Sequence, residues 1–230
     1  MLPWTLLDRA PLPGSVDEIK LYKRGSEYSI RLANCELMNS RVHGSEEALA
    51  ELAFEKIARR PHPRVLIGGL GLGYTLAAVL RLLGPRGSAV VAELVPAVVS
   101  WNRGPLGPLA GNPLRDRRVT VKEADVARII GEEPGGFDAI LLDVDTAPKA
   151  LTQDSNSQLY TLAGLRATHA ALRPEGVLGI WSGGPDPAFV KRMAQAGFQV
   201  SEVRARARTE HGGARYLIWL AQRGKDRKVR

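Results

Sequence analysis

The chain has 230 residues, 44% of them hydrophobic, which suffices for one domain with a small appendage and is too little for two full domains. A formal net charge of +8 attracts phosphates without naming a partner, and the basic residues crowded into Arg223–Arg230 place much of the excess on a solvated end. No run approaches the roughly 20 apolar residues of a membrane span, the first residues lack a basic-then-apolar leader, and a single cysteine, Cys35, supports neither a disulfide nor a zinc site; a cytoplasmic chain without metal or membrane contact is expected.

In chain order, Glu18–Lys23 and Glu27–Leu32 are predicted strands joined by Arg24-Gly25-Ser26, a hairpin that makes residues 1–44 a small β region. Ser45 is the expected N-cap of a helix with Glu46 and Glu47 in its first turn and Leu49, Leu52, Ala53 and Ile57 at helical spacing; Pro61 and Pro63 end it. From Arg64 onward short apolar runs alternate with amphipathic segments, the pattern of βαβ units around a parallel sheet, so residues 45–230 are expected to form one Rossmann-like domain. Its predicted strands are Val65–Ile67, Ala89–Ala92, Val119–Val121, Phe137–Leu142, Val177–Trp181, Val200–Arg204 and Tyr216–Ala221. Helices are predicted over Thr75–Leu83, from Pro96 to Trp101, over Val126–Ile130, around Leu159–Leu172, and over Pro187–Ala196. The last two strands flank His211-Gly212-Gly213, a hairpin turn. A seven-stranded, mostly parallel, doubly wound sheet ending in an antiparallel hairpin fits methyltransferase-type topology better than an all-parallel dinucleotide fold.

The chemistry concentrates where strands end. Gly69-Leu70-Gly71-Leu72-Gly73 follows the first strand of the parallel sheet, but Tyr74 stands where a dinucleotide fingerprint needs its third glycine, and no Gly-Lys-Ser/Thr completes a phosphate loop. Small residues at Gly69, Gly71 and Gly73 let backbone approach the amino-acid end of a sulfonium nucleoside. Glu93 ends the second strand 20 positions after Gly73, where a carboxylate can accept from both ribose hydroxyls. Asp125 can accept from an adenine amine while Val126 covers the ring, or it can cap the helix that follows, or both. Ligands of open α/β sheets sit beyond the carboxyl ends of the strands, so these residues and Asp143 converge on one crevice. Asp138, at the start of its strand, faces the other end of the sheet.

On these residues, together with Ser45-Glu46-Glu47, Phe137–Asp143 and Leu159-Tyr160, the sequence resembles the spermidine synthase-like (polyamine aminopropyltransferase) family over most of its length. The resemblance implies S-adenosylmethionine or its decarboxylated form as group donor, a small-molecule amine as acceptor, a homodimer paired through the N-terminal region, Asp143 as the residue that deprotonates or orients the amine with Asp145 as second candidate, and Glu46 and Tyr160 facing substrate. The family's Asp-Ser-Ser-Asp-Pro is replaced by Asp143-Val144-Asp145-Thr146-Ala147, its Tyr-His-Glu by Leu49-Ala50-Glu51, and the aspartate of its glycine run by Gly71, which admits intact S-adenosylmethionine. Methyl transfer to a small molecule or RNA, and nucleoside binding without transfer, are the alternatives. Trp101, Tyr160 and Trp181 are too scattered for a stacking platform, so nucleic acid is not favoured as a partner. His43 is expected at the surface before the helix and His169 in a structural position.

Overall fold

The structure, a computed structural model, describes residues 2–142, 158–182, 184–206 and 215–225. Four antiparallel strands come first and pair in chain order: β1 (Thr5–Pro11), β2 (Glu18–Arg24), β3 (Glu27–Leu32) and β4 (Cys35–Asn39). The predicted hairpin is β2–β3, turned at Gly25 with φ +59°. β1 and β4 escape sequence reading because six of the seven β1 residues are exposed and no β4 residue is fully buried, so neither displays the alternation that marks a half-buried strand. Ile19, Leu21 and Ile30 point inward and join the core of the larger domain.

Helix α1 (Gly44–Ile57) begins two residues earlier than expected. Ser45 is not its cap: the N-cap is His43, which makes no side-chain cap bond, while the Ser45 hydroxyl donates to Glu46 Oε2 at 2.5 Å. Because the helix starts at Gly44, Ser45 already lies within its first turn and not at the half-in position from which a hydroxyl oxygen can accept from a first-turn N–H.

The seven-stranded sheet comprises β5 (Arg64–Gly68), β6 (Ser88–Glu93), β7 (Val119–Glu123), β8 (Phe137–Leu142), β9 (Leu172–Ser182), β10 (Phe198–Arg206) and β11 (Arg215–Arg223), in the order β10-β11-β9-β8-β5-β6-β7. β11 runs antiparallel to both neighbours and the remaining pairs are parallel, which is the methyltransferase-type arrangement. The turn at 211–213 lies outside the described residues. Helices α1, α2 (Tyr74–Leu82) and α3 (Pro96–Arg103) cover one face and α4 (Val126–Glu132), α5 (Leu162–Ala171) and α6 (Pro187–Gln195) the other. Val65 and Ile67 pack into the first layer and Leu66 into the second, as the period of two requires. Buried on both faces, the central β8 is apolar throughout except for Asp138.

The helices start on identifiable chemistry. Pro96 occupies the first turn of α3, and Asp125, Thr161 and Asp186 cap α4, α5 and α6 by accepting from Ala127, Gly164 and Phe189 N–H groups. Among the described residues no helix is long and apolar enough to cross a membrane.

Candidate functional site

The chain winds outward in one direction from β5 to β7 and in the other from β8 onward, so the switch point lies between the adjacent C-terminal ends of β5 and β8, where Gly68 is the register partner of Leu142. The loop Gly69–Gly73 sits there. Its three glycines have φ of +87°, +51° and +85°, the left-handed region that other residues enter only at a cost. Gly69 N–H donates to Ala92 O and Gly73 N–H to Leu70 O, both at 2.8 Å, which ties the loop to β6 and closes it on itself.

Glu93 is 7% exposed at the end of β6. Its Oε2 accepts from Leu70 N–H and its Oε1 from Val95 N–H, each at 2.8 Å, so the carboxylate fastens the glycine loop to the strand that precedes α3. Burial pushes its pKa above the ordinary carboxylate value, and the N–H groups of Val95, Leu70, Leu94 and Gly71 pull the other way. Asn102, which sequence reading misses, is 2% exposed on α3; its Nδ2 donates to Gly71 O at 2.8 Å and to Val98 O at 3.0 Å. A polar residue at a buried position of an otherwise apolar helix face was its one available signal.

Asp125 Oδ1 accepts from Ala127 N–H at 2.8 Å, so capping occupies one of its oxygens. Val126 is 5% exposed and touches the loop's entrance: a Cβ on Gly68 would lie 3.0 Å from Val126 Cγ2 and 2.9 Å from Leu142 Cδ2. Asp143 and Asp145 lie outside the described residues.

Between β4, the start of α1 and the glycine loop lies a cavity of about 170 Å³ whose lining includes Met38, Ser45, Glu46, Gly71, Tyr74 and Trp181. The Tyr74 hydroxyl donates to Ser40 O at 3.3 Å, and its pKa is raised first by burial and then by Glu46 and Glu47, which gives this region a negative field. His43 stacks on Tyr74, with centroids 4.3 Å apart, and its Nδ1 lies 3.5 Å from Glu47 Oε1. Glu46 thus lines the cavity beside the loop. Tyr160 does not line this cavity; its ring meets Phe189 edge-on at 5.5 Å within the other helix layer. His169 meets Phe198 edge-on at 5.0 Å.

At the opposite end of the sheet Asp138 is 1% exposed and accepts from Arg64 N–H at 2.8 Å and Arg173 Nη1 at 2.7 Å. Among the described residues no group of three or more His, Cys, Asp or Glu side chains is placed to hold a metal ion.

No family model matches the sequence, and no curated protein matches it. Solved structures do match by fold. The crystal structure of spermidine synthase from Thermotoga maritima aligns with a TM-score of 0.70 at 21% identity, over 96% of this chain and 74% of that one. A spermidine synthase in complex with the transition state analogue AdoDATO aligns with a TM-score of 0.69 at 20% identity, over 96% and 73%. A probable spermidine synthase from Corynebacterium glutamicum aligns with a TM-score of 0.63 at 16% identity, over 95% and 79%. With its four-stranded N-terminal sheet, its methyltransferase-type domain and its glycine loop at the switch point, the chain has a spermidine synthase-like fold.

Proposed function

We propose that the protein binds an adenosyl-sulfonium compound at the Gly69–Gly73 loop and transfers an aminopropyl or related group from it to a small amine. The observation that carries this reading is the joint placement of the glycine loop, Glu93, Asp125 and the Glu46-lined cavity at the carboxyl end of the sheet. Glu93 ends β6 beside the loop, where its carboxylate can accept from a ribose hydroxyl in addition to backbone N–H groups; Asp125 Oδ2 is available to an adenine amine beside Val126. The negative field of Glu46 and Glu47 and the rings of Tyr74 and Trp181 suit an organic ammonium. An ammonium must lose a proton before its nitrogen can attack, and Asp143 is assigned that role, with Asp145 next in line. One structure of similar fold is a spermidine synthase complexed with a transition state analogue, which supports group transfer on this scaffold.

Calorimetry with S-adenosylmethionine, its decarboxylated form, methylthioadenosine and S-adenosylhomocysteine tests the binding step; silence with all of them removes the reading. Glu93→Ala should weaken binding by about 1–3 kcal/mol, and unchanged affinity takes Glu93 out of the site. Asp143→Asn keeps shape and removes the basic lone pair, so turnover on an accepted amine should fall roughly 100-fold with nucleoside affinity unchanged. Full turnover in Asp143→Asn and loss in Asp145→Asn moves the base two residues along.

Methyl transfer is the second reading, favoured by one observation: the loop from Gly69 to Gly73 contains no acid to repel the carboxylate of intact S-adenosylmethionine. Released S-adenosylhomocysteine selects it; released methylthioadenosine selects aminopropyl transfer.

A further inference from the structure

The cavity beside the glycine loop is closed at Gly71 by a side chain from the other sheet. A Cβ built on Gly71 would lie 2.8 Å from Met38 Sδ and 3.2 Å from its Cε, inside contact distance, so the thioether fills the space that a side chain at position 71 would take. Met38 reaches it from β4, where its backbone pairs with Ile30, and Leu37, Leu70 and Leu72 complete an apolar end of the cavity. At about 170 Å³ the cavity is smaller than the roughly 300–1,000 Å³ of sites that enclose a whole small molecule, so it receives one end of a ligand.

We infer that Met38 is a specificity-determining residue: seated on Gly71, it limits by its volume the tail that an adenosine thioether can extend into this cavity, and a compact S-methyl tail is admitted in preference to an aminocarboxypropyl tail. This rests on the adenosyl reading above. The limit is steric, and it acts where the loop backbone comes closest to β4. Methionine suits the task, since its unbranched thioether fills an irregular gap that a β-branched residue would leave open.

The test compares methylthioadenosine with S-adenosylhomocysteine by calorimetry on the full chain, on Met38→Ala and on Met38→Leu. Met38→Ala removes Cγ, Sδ and Cε and should shift the affinity ratio toward S-adenosylhomocysteine by about 10-fold or more, the scale on which a pocket discriminates one or two methylenes. Met38→Leu restores most of the volume and should hold the ratio within roughly threefold. If the parent chain binds both compounds and Met38→Ala leaves the ratio where it was, the assignment is overturned while the adenosyl reading stands; if the parent binds neither, the adenosyl reading falls and takes the assignment with it. A ligand-free arm checks the contact itself. Gly71→Asp alone should lower the melting temperature, because aspartate tolerates the left-handed backbone but collides with Met38, and Met38→Ala in the same chain should recover part of the loss. Strictly additive losses would show that the two residues do not share the space.

Discussion

A carboxylate that is 1% exposed must be neutralised by its neighbours, and Asp138 meets that demand with Arg173 Nη1 and Arg64 N–H on one oxygen and Arg60 Nε 3.4 Å from the other. Removing one partner of a buried pair leaves uncompensated charge. Arg60 and Arg173 are about one-third exposed, so solvent repays part of the loss. Asp138→Asn should cost about 2–3 kcal/mol, lowering the melting temperature by roughly 4–12 °C without altering nucleoside affinity. A melting temperature within a degree of the parent would show that the cluster is dispensable. Sequence reading places Asp138 correctly at the far end of its strand but cannot find its arginines, which lie 35 and 78 positions away in the chain. The same limit applies to Glu93: its strand-end position is legible, while its bonds to Leu70 and Val95 depend on how the glycine loop folds back.

At the scale of elements, α4 ends on an acid, the charge that a helix C-terminus disfavours, and two strands supply the remedy. Glu133 at the C-cap accepts from Arg64 of β5 at 2.5 Å and Lys122 of β7 at 2.8 Å. The Arg64 bond, then the Lys122 bond, holds its pKa down at about 2 against an ordinary 4.5. Because the folded value lies below the unfolded one, the stabilisation is complete above about pH 4.5 and is lost as pH falls toward 2. The carboxylate is 22% exposed, so about 1 kcal/mol is a fair magnitude after solvent screening. Glu133→Gln should therefore lose about that much at neutral pH and show a flatter decline of stability between pH 4.5 and 2 in denaturant titrations; parallel declines for parent and variant would remove Glu133 from the acid limb. Elements with a buried stripe or a cap that bonds the backbone are legible from sequence, as α4 with Asp125 demonstrates. Ser45 is misread because the helix starts ahead of it, at Gly44, with His43 as an N-cap that makes no side-chain cap bond and so leaves no sequence signal.

For the whole molecule, the parallel sheet is legible because β5, β6, β8 and β9 each carry a buried apolar run between helices, whereas β7 at the sheet's edge has no buried residue and the extent of the N-terminal sheet is hidden by the exposure of its outer strands. That exposure has a consequence for assembly. Among the described residues β1 is paired on one side only, with β2, and carries Leu6 and Leu7 at 45% and 43% exposure, with Leu2 just before it at 68%. Trp101 Nε1 donates to Asp8 Oδ2 at 2.7 Å, which anchors the strand to α3 and holds its free edge in place. An ordered strand with unpaired backbone groups and exposed leucines is a template for another strand, and the lowest-cost occupant is the same surface on a second copy, since a two-fold axis satisfies both edges at once. We therefore expect a homodimer joined through β1. Light scattering at micromolar concentration should give about 50 kDa, twice the 24.9 kDa of the chain. Leu7→Lys, which adds a charge to the exposed strand without touching the core, should return the mass to that of one chain while leaving the melting temperature of the folded unit within a few degrees. A parent chain that scatters as a monomer throughout, or a Leu7→Lys variant that remains dimeric, would move the interface away from this edge.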